Sequence, residues 1–318
     1  MKNAIKNIKN NITMSDFILL PFTTLNRYFH DLFILKNICK NWLEVMLFRF
    51  GFKKKCIAKL RNGDVLKLEN FGDYLNIWRE GHLPQECFKW INNKEGIKFK
   101  YKNYPGDLYL LGGYAAVFRE IFVEESYKLL NVSGKEVVDI GANIGDTAIY
   151  FVVNGAKHVY AFEPYPFSYK IALKNVALNK FEKKVTVLNE AIGGSNRSIF
   201  IDENYENTVG DDLKEFKKGK KIKVITLEEV VKRFNLKDAV LKVDCEGCEY
   251  CAIINTPNEI LRKFKEIMIE YHYGYLDLKE KLEEAGFVVK VSSPRYSLNV
   301  CSENSSMVVG YLYARRVD

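Results

Sequence analysis

The alternation of apolar and polar positions predicts a regular succession of short strands and amphipathic helices in the second half of the chain. The predicted strands are Val137–Ile140, His158–Phe162, Val185–Asn189, Ala239–Val243, Glu266–Tyr271, Phe287–Val291 and Met307–Tyr313. The predicted helices are Asp146–Asn154, Phe167–Asn179, Thr226–Phe234 and Leu276–Ala285. Because strands that alternate with helices pair in parallel through right-handed crossovers, this region is expected to fold as an α/β domain.

The pattern before this domain is different. Apolar positions alternate over Ile57–Leu68 on both sides of Asn62-Gly63-Asp64, which is typical of a β-hairpin. A helix is expected over Tyr114–Leu130, and the charged segment Ser195–Lys221 is expected to be a surface insertion near the site. Three regions are therefore predicted: a basic, aromatic helical arm or cap (1–56), a hairpin and connecting region (57–110), and the α/β domain (111–318).

The strongest chemical signal is a glycine turn after the first strand of the domain. The sequence VVDIGANIG at Val137–Gly145 is followed by AFEP at Ala161–Pro164. A dinucleotide-binding turn would have glycine at Asn143, and an acid at Asp146 would repel a pyrophosphate. S-Adenosylmethionine carries a positive sulfonium and no phosphate, so acidic residues suit it, and Glu163 could accept hydrogen bonds from its ribose. An ordinary turn without a ligand is the alternative.

Composition limits the remaining possibilities. The chain has 318 residues, 47% of them hydrophobic, which is enough for a sizeable core. Its net charge of +8 comes from residues 1–60, which hold eleven Lys/Arg and three Asp/Glu, whereas the rest holds 37 of each sign. A neutral α/β domain does not have the basic character of a nucleic-acid-binding surface. Seven cysteines without a signal peptide favour free thiols in the cytoplasm.

The basic arm has two possible roles. Its aromatic and apolar stretches are interleaved with basic residues and end at the run Lys53–Lys55. No apolar run reaches the roughly 20 residues that a membrane span requires. The arm is therefore expected either to cap the enzyme core or to rest as an amphipathic element on an anionic membrane surface, and the cap is favoured because amphipathic stripes more often face a protein core.

Six motifs in order resemble the FkbM family of methyltransferases: DIGANIGD, AFEP, NEAIGG, ITLEEV, LKVDCEGCEY and IEYH. The resemblance covers roughly residues 111–318, and its most specific part is DxEGxE at Asp244–Glu249. It implies a class I methyltransferase fold, that is, a Rossmann-like, mostly parallel sheet of seven strands with the last one antiparallel. It also implies S-adenosylmethionine as cofactor and methyl transfer mainly to hydroxyl oxygens of sugars, lipids or natural products.

The resemblance also implies site residues. The expected cofactor-binding residues are Asp139, Gly141, Ala142, Asn143, Gly145, Glu163, Pro164, Asn189 and Glu190. The glycine turn would shape the methionine end of the pocket, and Asn189 or Glu190 would face the adenine; the sequence does not decide which. The expected catalytic residues are Asp244, Glu246, Glu270 and His272.

These acidic residues follow two predicted strands whose carboxyl ends should be neighbours. Asp244 and His272 are the candidates for a general base that removes the proton of an acceptor hydroxyl. Glu246 and Glu270 could anchor substrate hydroxyls. Alternatively, Glu246 and Glu249 simply favour the start of the next helix. Mg²⁺ could bind such oxygen ligands, but no metal is predicted. Cys245, Cys248 and Cys251 are similar to a cluster-binding run that lacks its fourth cysteine.

The sequence thus predicts an O-methyltransferase that acts on a sugar, glycan or lipid-linked acceptor. The protein is expected in the cytoplasm, with peripheral contact to an anionic membrane through residues 1–60 and without a nucleic-acid partner. Two alternatives remain: a methyltransferase for RNA or another nucleic acid, and a non-catalytic, membrane-associated module that binds S-adenosylmethionine.

Overall fold

The computed structural model describes residues 11–61, 63, 65–69, 88–91, 96–112, 115–203, 215–297 and 307–317. They group into two compact units, one of residues 21–125 and one that joins residues 11–20 to residues 126–317. This division differs from the predicted boundaries at 56 and 110. Residues 21–56 of the arm and the hairpin belong to one unit, and residues 11–20 belong to the α/β unit.

The unit of residues 21–125 contains most of one long helix, two short helices and two small antiparallel sheets. Its elements, the first of which starts before the unit, are α1 (Met14–Ile38), α2 (Trp42–Arg49), β1 (Cys56–Lys59), β2 (Val65–Leu68), β3 (Phe88–Ile91), β4 (Gly96–Phe99), β5 (Leu108–Leu111) and α3 (Ala115–Phe118). Strands β1 and β2 pair with each other, and β4 pairs with both β3 and β5. The end of α1, α2 and the β1–β2 hairpin share one apolar core.

The predicted hairpin is confirmed, because Cys56 in β1 lies opposite Leu68 in β2. Two residues of its turn, at positions 62 and 64, lie outside the described residues. The helix expected over Tyr114–Leu130 is wrong in extent, since α3 continues only as a π-helical segment, Arg119–Val123. Glu125 then adopts a φ of 54°, a left-handed conformation that ends a helix.

The α/β unit contains the elements expected from the sequence. Its strands are β6 (Glu136–Ile140), β7 (His158–Phe162), β8 (Val185–Leu188), β9 (Glu190–Ile192), β10 (Arg197–Ile201), β11 (Lys220–Ile225), β12 (Ala239–Val243), β13 (Phe264–Tyr271), β14 (Phe287–Val291), β15 (Arg295–Ser297) and β16 (Met307–Arg316). Its helices are α4 (Asp146–Val153), α5 (Pro166–Leu178), α6 (Leu227–Phe234), α7 (Cys248–Ile254), α8 (Asn258–Leu261) and α9 (Leu276–Glu284).

The central sheet has the strand order β14-β16-β13-β12-β6-β7-β8, with β15 added beside β16. The pairs from β13 to β8 are parallel, whereas β16 runs antiparallel to both of its neighbours. The last strand of the chain is therefore inserted antiparallel into a parallel sheet. This confirms the predicted fold class, a Rossmann-like class I methyltransferase sheet. The turns after β6, β7, β12 and β13 lie at the carboxyl ends of adjacent parallel strands, where α/β sheets bind ligands.

The segment Ser195–Lys221 is more than a surface insertion. Strand β10 pairs with β11, and β11 pairs with β9, so that the three form a second small sheet. Their inward side chains form a buried cluster with Tyr165, made by Ala191, Ile199, Ile201, Ile222 and Val224. Four of the twelve charged residues of this segment lie in residues 204–214, which are outside the described residues.

The residues just before α1 pack onto the α/β unit. The carbonyl oxygen of Asn11 accepts hydrogen bonds from the amides of Tyr275 and Leu276. Its side chain donates to the carbonyl of Tyr273 and accepts from the amide of Asp277, at 3.1 and 2.9 Å. The start of the described chain is thus fixed beside the segment between β13 and α9.

Candidate functional site

The glycine turn after β6 fits tightly against the loop after β12. Gly141 has a φ of 75°, and a Cβ added to it would lie 1.7 Å from the carbonyl oxygen of Asp244. The amides of Gly141 and Ala142 both donate to the carbonyl of Phe162, at 3.0 Å. Only glycine allows this approach and this backbone conformation. The two groups of residues predicted separately, the cofactor turn and the acidic motif, are therefore in contact.

Glu163 closes this turn from the end of β7. Its carboxylate is 3% exposed and accepts hydrogen bonds from the amides of Asn143 and Tyr165, each at 2.8 Å. Burial raises the pKa of Glu163 to about 8, although the two amides and the charge of Lys242 oppose the rise. Each oxygen has accepted one hydrogen bond from an amide and has capacity for a second, which a ribose diol could supply.

Asn189 lies beside Glu163, and Glu190 is held elsewhere. The side-chain amide of Asn189 donates to the carbonyl oxygens of Glu163 and Pro164, both at 2.9 Å. Its own oxygen is buried and has no hydrogen-bond partner among the described residues. A buried acceptor of this kind needs a donor such as an exocyclic amine. Glu190 instead forms an ion pair with Arg233 at 2.6 Å, so Asn189 is the better candidate for the adenine side.

Asp139 and Lys242 form a buried ion pair beneath the glycine turn. The ammonium nitrogen lies 3.1 Å from Asp139 Oδ1 and donates to the carbonyls of Ile140 and Gly141, at 3.2 and 2.8 Å. The other oxygen of Asp139 accepts from Thr147 at 2.5 Å. Burial would lower the pKa of Lys242, but nearby carboxylates, Asp139 first, outweigh it and raise that pKa. Lys242 is therefore a fixed cation below the turn.

Asp244 is the partly exposed member of the acidic group. Its side chain is 25% exposed, and one oxygen accepts from the Tyr127 hydroxyl at 3.0 Å. The same oxygen lies 3.8 Å from the Lys242 nitrogen, and that nitrogen lies 5.6 Å from the centre of the Tyr127 ring. This carboxylate is thus oriented from below and remains accessible to a ligand.

His272 lies between two glutamates of the same motif. Its Nδ1 is 2.9 Å from Glu249, and its Nε2 is 2.8 Å from Glu246. Burial would lower the pKa of His272, but the two carboxylates raise it well above its usual value. A ring that carries a proton on both nitrogens fits poorly as the general base proposed from the sequence. It instead fixes the loop from Glu246 to Glu249, and the Glu249 carboxylate also accepts from the amide of Gly247 at 2.9 Å.

Glu270 differs from these residues because its ion-pair partner, Arg295, lies outside the acidic motif. Its side chain is 14% exposed and lies 4.0 Å from Arg295. It lies on β13, two residues before His272, which directly follows the strand, so the two side chains are expected on the same side of the sheet. The structure thus brings Asp244, Glu246 and His272 together, with Glu270 next along the strand.

The cysteines of the acidic motif correct an expectation from the sequence. Cys245 and Cys248 form a disulfide, so they are not free thiols. Glu246 and Gly247 between them both have positive φ, 55° and 118°, and this tight turn brings the two sulfurs together. Among the described residues, Cys39, Cys56 and Cys251 are free. The interrupted cluster-binding run is therefore a disulfide followed by an exposed cysteine.

A metal site is the other chemistry that this group suggests. Asp244, Glu246 and His272 each place one potential ligand atom within 4.8 Å of the others. In this arrangement His272 Nε2 lies 2.8 Å from the Glu246 carboxylate, so these two side chains contact each other. A metal ion bound through this nitrogen would have to replace that contact.

Two residues of the site were missed by the sequence prediction. Lys242 could have been found, because a lysine within the apolar strand Ala239–Val243 is a buried charge that needs a partner. Tyr127 had no such signal, since it lies in a turn and meets Asp244 only in the folded chain. Together they hold the acidic motif against the glycine turn.

Part of the chain is similar in sequence to known methyltransferases. Residues 139–289 match the family model described as the methyltransferase FkbM domain. A ribosomal protein L11 methyltransferase from Carboxydothermus hydrogenoformans is 36% identical over 69 residues, which are 21% of this chain and 23% of that protein. The chain thus matches about a quarter of the length of this curated relative.

Solved structures of methyltransferases are similar at low sequence identity. Methyltransferase FkbM from Methylobacillus flagellatus KT is 17% identical, with 59% of this chain and 45% of that chain covered and a TM-score of 0.41. TrmK from M. capricolum in complex with S-adenosylhomocysteine is 16% identical, with 61% and 66% covered and a TM-score of 0.38.

Proposed function

We propose that the protein is an S-adenosylmethionine-dependent O-methyltransferase whose acceptor is a hydroxyl of a sugar, glycan or lipid-linked acceptor, because residues 139–289 match the family model described as the methyltransferase FkbM domain. One observation carries the proposal. The backbone carbonyl of Asp244 packs against the glycine turn that would hold the cofactor, and the carboxylate of the same residue is partly exposed. A potential base and a cofactor pocket are thus adjacent.

The residues around the turn fit the cofactor. Glu163 has free acceptor capacity for the ribose hydroxyls, and the buried oxygen of Asn189 can accept from the adenine amine. Gly141 keeps the turn free of a Cβ on the side that contacts Asp244. When bound, S-adenosylmethionine supplies the methyl group on a positive sulfonium, which suits a pocket that contains several carboxylates.

Asp244 is assigned the role of general base. It accepts the proton of the acceptor hydroxyl as that oxygen gains the methyl group, a contribution of typically 10²–10⁴-fold. The Tyr127 hydroxyl and Lys242 keep the carboxylate oriented. His272 keeps its proton and holds Glu246 and Glu249 in place. The protein therefore contributes to catalysis in two ways: it orients the reacting groups, and Asp244 takes the proton of the acceptor hydroxyl.

Two features support a hydroxylated acceptor. Glu246, 22% exposed, lies close to Asp244, and Glu270, 14% exposed, lies two residues before His272; both carboxylates could accept hydrogen bonds from acceptor hydroxyls. Residues 61–318 hold equal numbers of acidic and basic side chains, 37 of each, so this part of the chain does not have the excess positive charge that favours nucleic acids.

The proposal is tested by methyl transfer from labelled S-adenosylmethionine to a panel of sugars, lipid-linked glycans and RNA. The wild type should methylate an acceptor of the first two classes, and Asp244→Asn should lower kcat at least about 100-fold while cofactor binding remains. The control is Asp238→Asn, which removes an exposed carboxylate outside the site from a left-handed position that asparagine tolerates. Methylation of RNA alone, or full activity of Asp244→Asn, would contradict the assignment.

A further inference from the structure

The unit of residues 21–125 exposes apolar side chains along one face of α1. Phe22, Leu25 and Phe33 are 64%, 50% and 66% exposed. At 100° per residue they fall within an arc of about 80°, so they share one face of the helix. The opposite side provides the buried residues Leu35 and Ile38 of the core shared with β1 and β2. The end of α1 is thus apolar on both its buried and its exposed side.

Helix α2 repeats the arrangement. Leu43 and Leu47 are four residues apart on one face and are 60% and 43% exposed, whereas Val45 and Met46 are buried in the same core as α1. Phe52, just after the helix, is 78% exposed. One group of large apolar side chains therefore forms the core of the unit. A second group lies outside this core and is exposed to solvent. An exposed apolar set of this size usually marks an interaction surface.

The charge around these residues identifies the partner. Residues 21–60 contain eight Lys/Arg and two Asp/Glu, whereas residues 61–125 contain nine and ten. Lys53 and Lys55 are paired with Glu44 and Glu69, and Lys36, Lys40 and Lys54 are exposed. The positive charge of the unit is thus concentrated in the segment that carries the exposed apolar residues. Apolar side chains flanked by lysines are the composition of helices that lie on anionic bilayers.

We propose that the exposed apolar side chains of α1 (Phe22, Leu25 and Phe33) and those of α2 and the residues after it (Leu43, Leu47 and Phe52), with Lys36, Lys40 and Lys54, dock on an anionic lipid bilayer. The helices lie on the bilayer and do not cross it: none of the described helices is long and apolar enough to span a membrane. Together with the proposed methyl transfer, on which this last step rests, docking favours a lipid-linked acceptor over a free sugar.

Vesicle co-sedimentation of the full chain tests the surface without depending on methyl transfer. Vesicles of phosphatidylcholine with phosphatidylglycerol should bind the wild type, and vesicles of phosphatidylcholine alone should bind it at least tenfold less. The variant Leu43→Glu/Leu47→Glu should lose at least tenfold in affinity. Lys36→Gln/Lys40→Gln/Lys54→Gln should lose roughly fivefold for each lysine, and salt should weaken wild-type binding.

The matched control is Leu129→Glu/Val288→Glu, which places the same charges on side chains of the α/β unit that are 56% and 54% exposed. It should bind vesicles as the wild type does. Equal loss in the control and the α2 variant, or wild-type binding that ignores lipid charge, would overturn the proposal. So would self-association of the wild type that the α2 variant abolishes without vesicles, because a second copy would then cover the surface. Methylation assays on the same variants report separately on the proposed function.

Discussion

Lys242 lies where the glycine turn meets the acidic loop. Its ammonium group interacts with residues on both sides, Gly141 in the turn and Asp244 in the loop. It contacts Asp139 and two carbonyls of the turn, and it lies within 3.8 Å of Asp244. A buried ion pair of this kind is not strong evidence for stability by itself, but removal of one partner leaves an uncompensated charge. Lys242 therefore determines how the two loops fit together.

We predict that Lys242→Met lowers the free energy of unfolding by about 3–5 kcal/mol, because Asp139 is left buried without its cation. The double variant Asp139→Asn/Lys242→Met should cost clearly less than the sum of the two single variants. Urea denaturation of the four proteins in this cycle provides the measurement. Additive effects would contradict the pairing.

Glu163 should make stability depend on pH. Burial raises the pKa of its carboxyl group from an ordinary value of 4.5 to about 8 in the folded protein. Because the folded value is the higher one, the stability that it contributes is present below about pH 4.5 and is lost as the pH rises through about 8. The loss between pH 5 and pH 8 is about 3 kcal/mol on the basis of roughly 1.4 kcal/mol per pKa unit.

Glu163→Gln should therefore flatten this part of the stability curve. The substitution replaces one of two acceptor oxygens, so absolute stability also changes, and the slope with pH is the quantity to compare. Denaturant unfolding at intervals from pH 5 to pH 8 measures it, and the control is Glu228→Gln, which changes a surface carboxylate that is 41% exposed. Parallel curves for the wild type and Glu163→Gln would contradict the buried, proton-binding role.

At the scale of elements, the turn after β6 depends on the absence of a side chain. Gly141→Ala should prevent the native contact with the Asp244 carbonyl, which a Cβ would approach to 1.7 Å. We predict a loss of more than about 3 kcal/mol in the free energy of unfolding and loss of cofactor binding, since both loops must shift.

Gly134→Ala is the matched control for this substitution. Gly134 has a similar φ, 70° against 75° in Gly141, but a Cβ added there meets nothing within 4 Å. It should cost about 1 kcal/mol, the price of a left-handed alanine alone. Thermal unfolding of both variants, together with S-adenosylmethionine titration, separates the two causes. Equal losses would show that close packing against Asp244 is not the constraint.

The sequence predicted most of the central sheet because each strand carries its own local pattern. Strands β7, β12 and β14 were predicted at their observed ends, and the motifs located Glu163 and Asp244 at strand ends. Contacts between distant residues were not predictable in this way. The helix predicted over Tyr114–Leu130 was too long. Its sequence contains no residue that ends a helix, but Glu125 adopts a left-handed backbone conformation in the folded chain.

At the scale of the whole molecule, the described residues 11–20 show why the predicted regions differ from the structural units. Asn11 hydrogen-bonds to residues 273, 275, 276 and 277, and the hydrogen bond from its side chain to Tyr273 spans 262 positions of sequence. No local sequence pattern around Asn11 predicts hydrogen bonds to residues so distant in the chain. The disulfide between Cys245 and Cys248 was missed for a different reason: its formation depends on the tight turn at Glu246 and Gly247, which composition does not reveal.

The net charge of the chain can be interpreted only from its distribution over the whole molecule. A value of +8 for the chain resembles that of a nucleic-acid-binding protein, but the charge is concentrated in residues 1–60 and the remainder is balanced. The structure adds that exposed apolar side chains of α1 and α2 lie in that same segment. Charge and function are thus divided along the chain, with the proposed methyl transfer in the α/β unit and the proposed membrane contact before it.

The central claim is that the glycine turn, Glu163 and Asn189 form an S-adenosylmethionine pocket next to Asp244. Calorimetric titration of the full chain with S-adenosylmethionine tests it most directly. The wild type and Asp244→Asn should bind with micromolar affinity, and Glu163→Ala should lose at least tenfold while it stays folded. No binding by the folded wild type, or equal binding by Glu163→Ala, would contradict the claim.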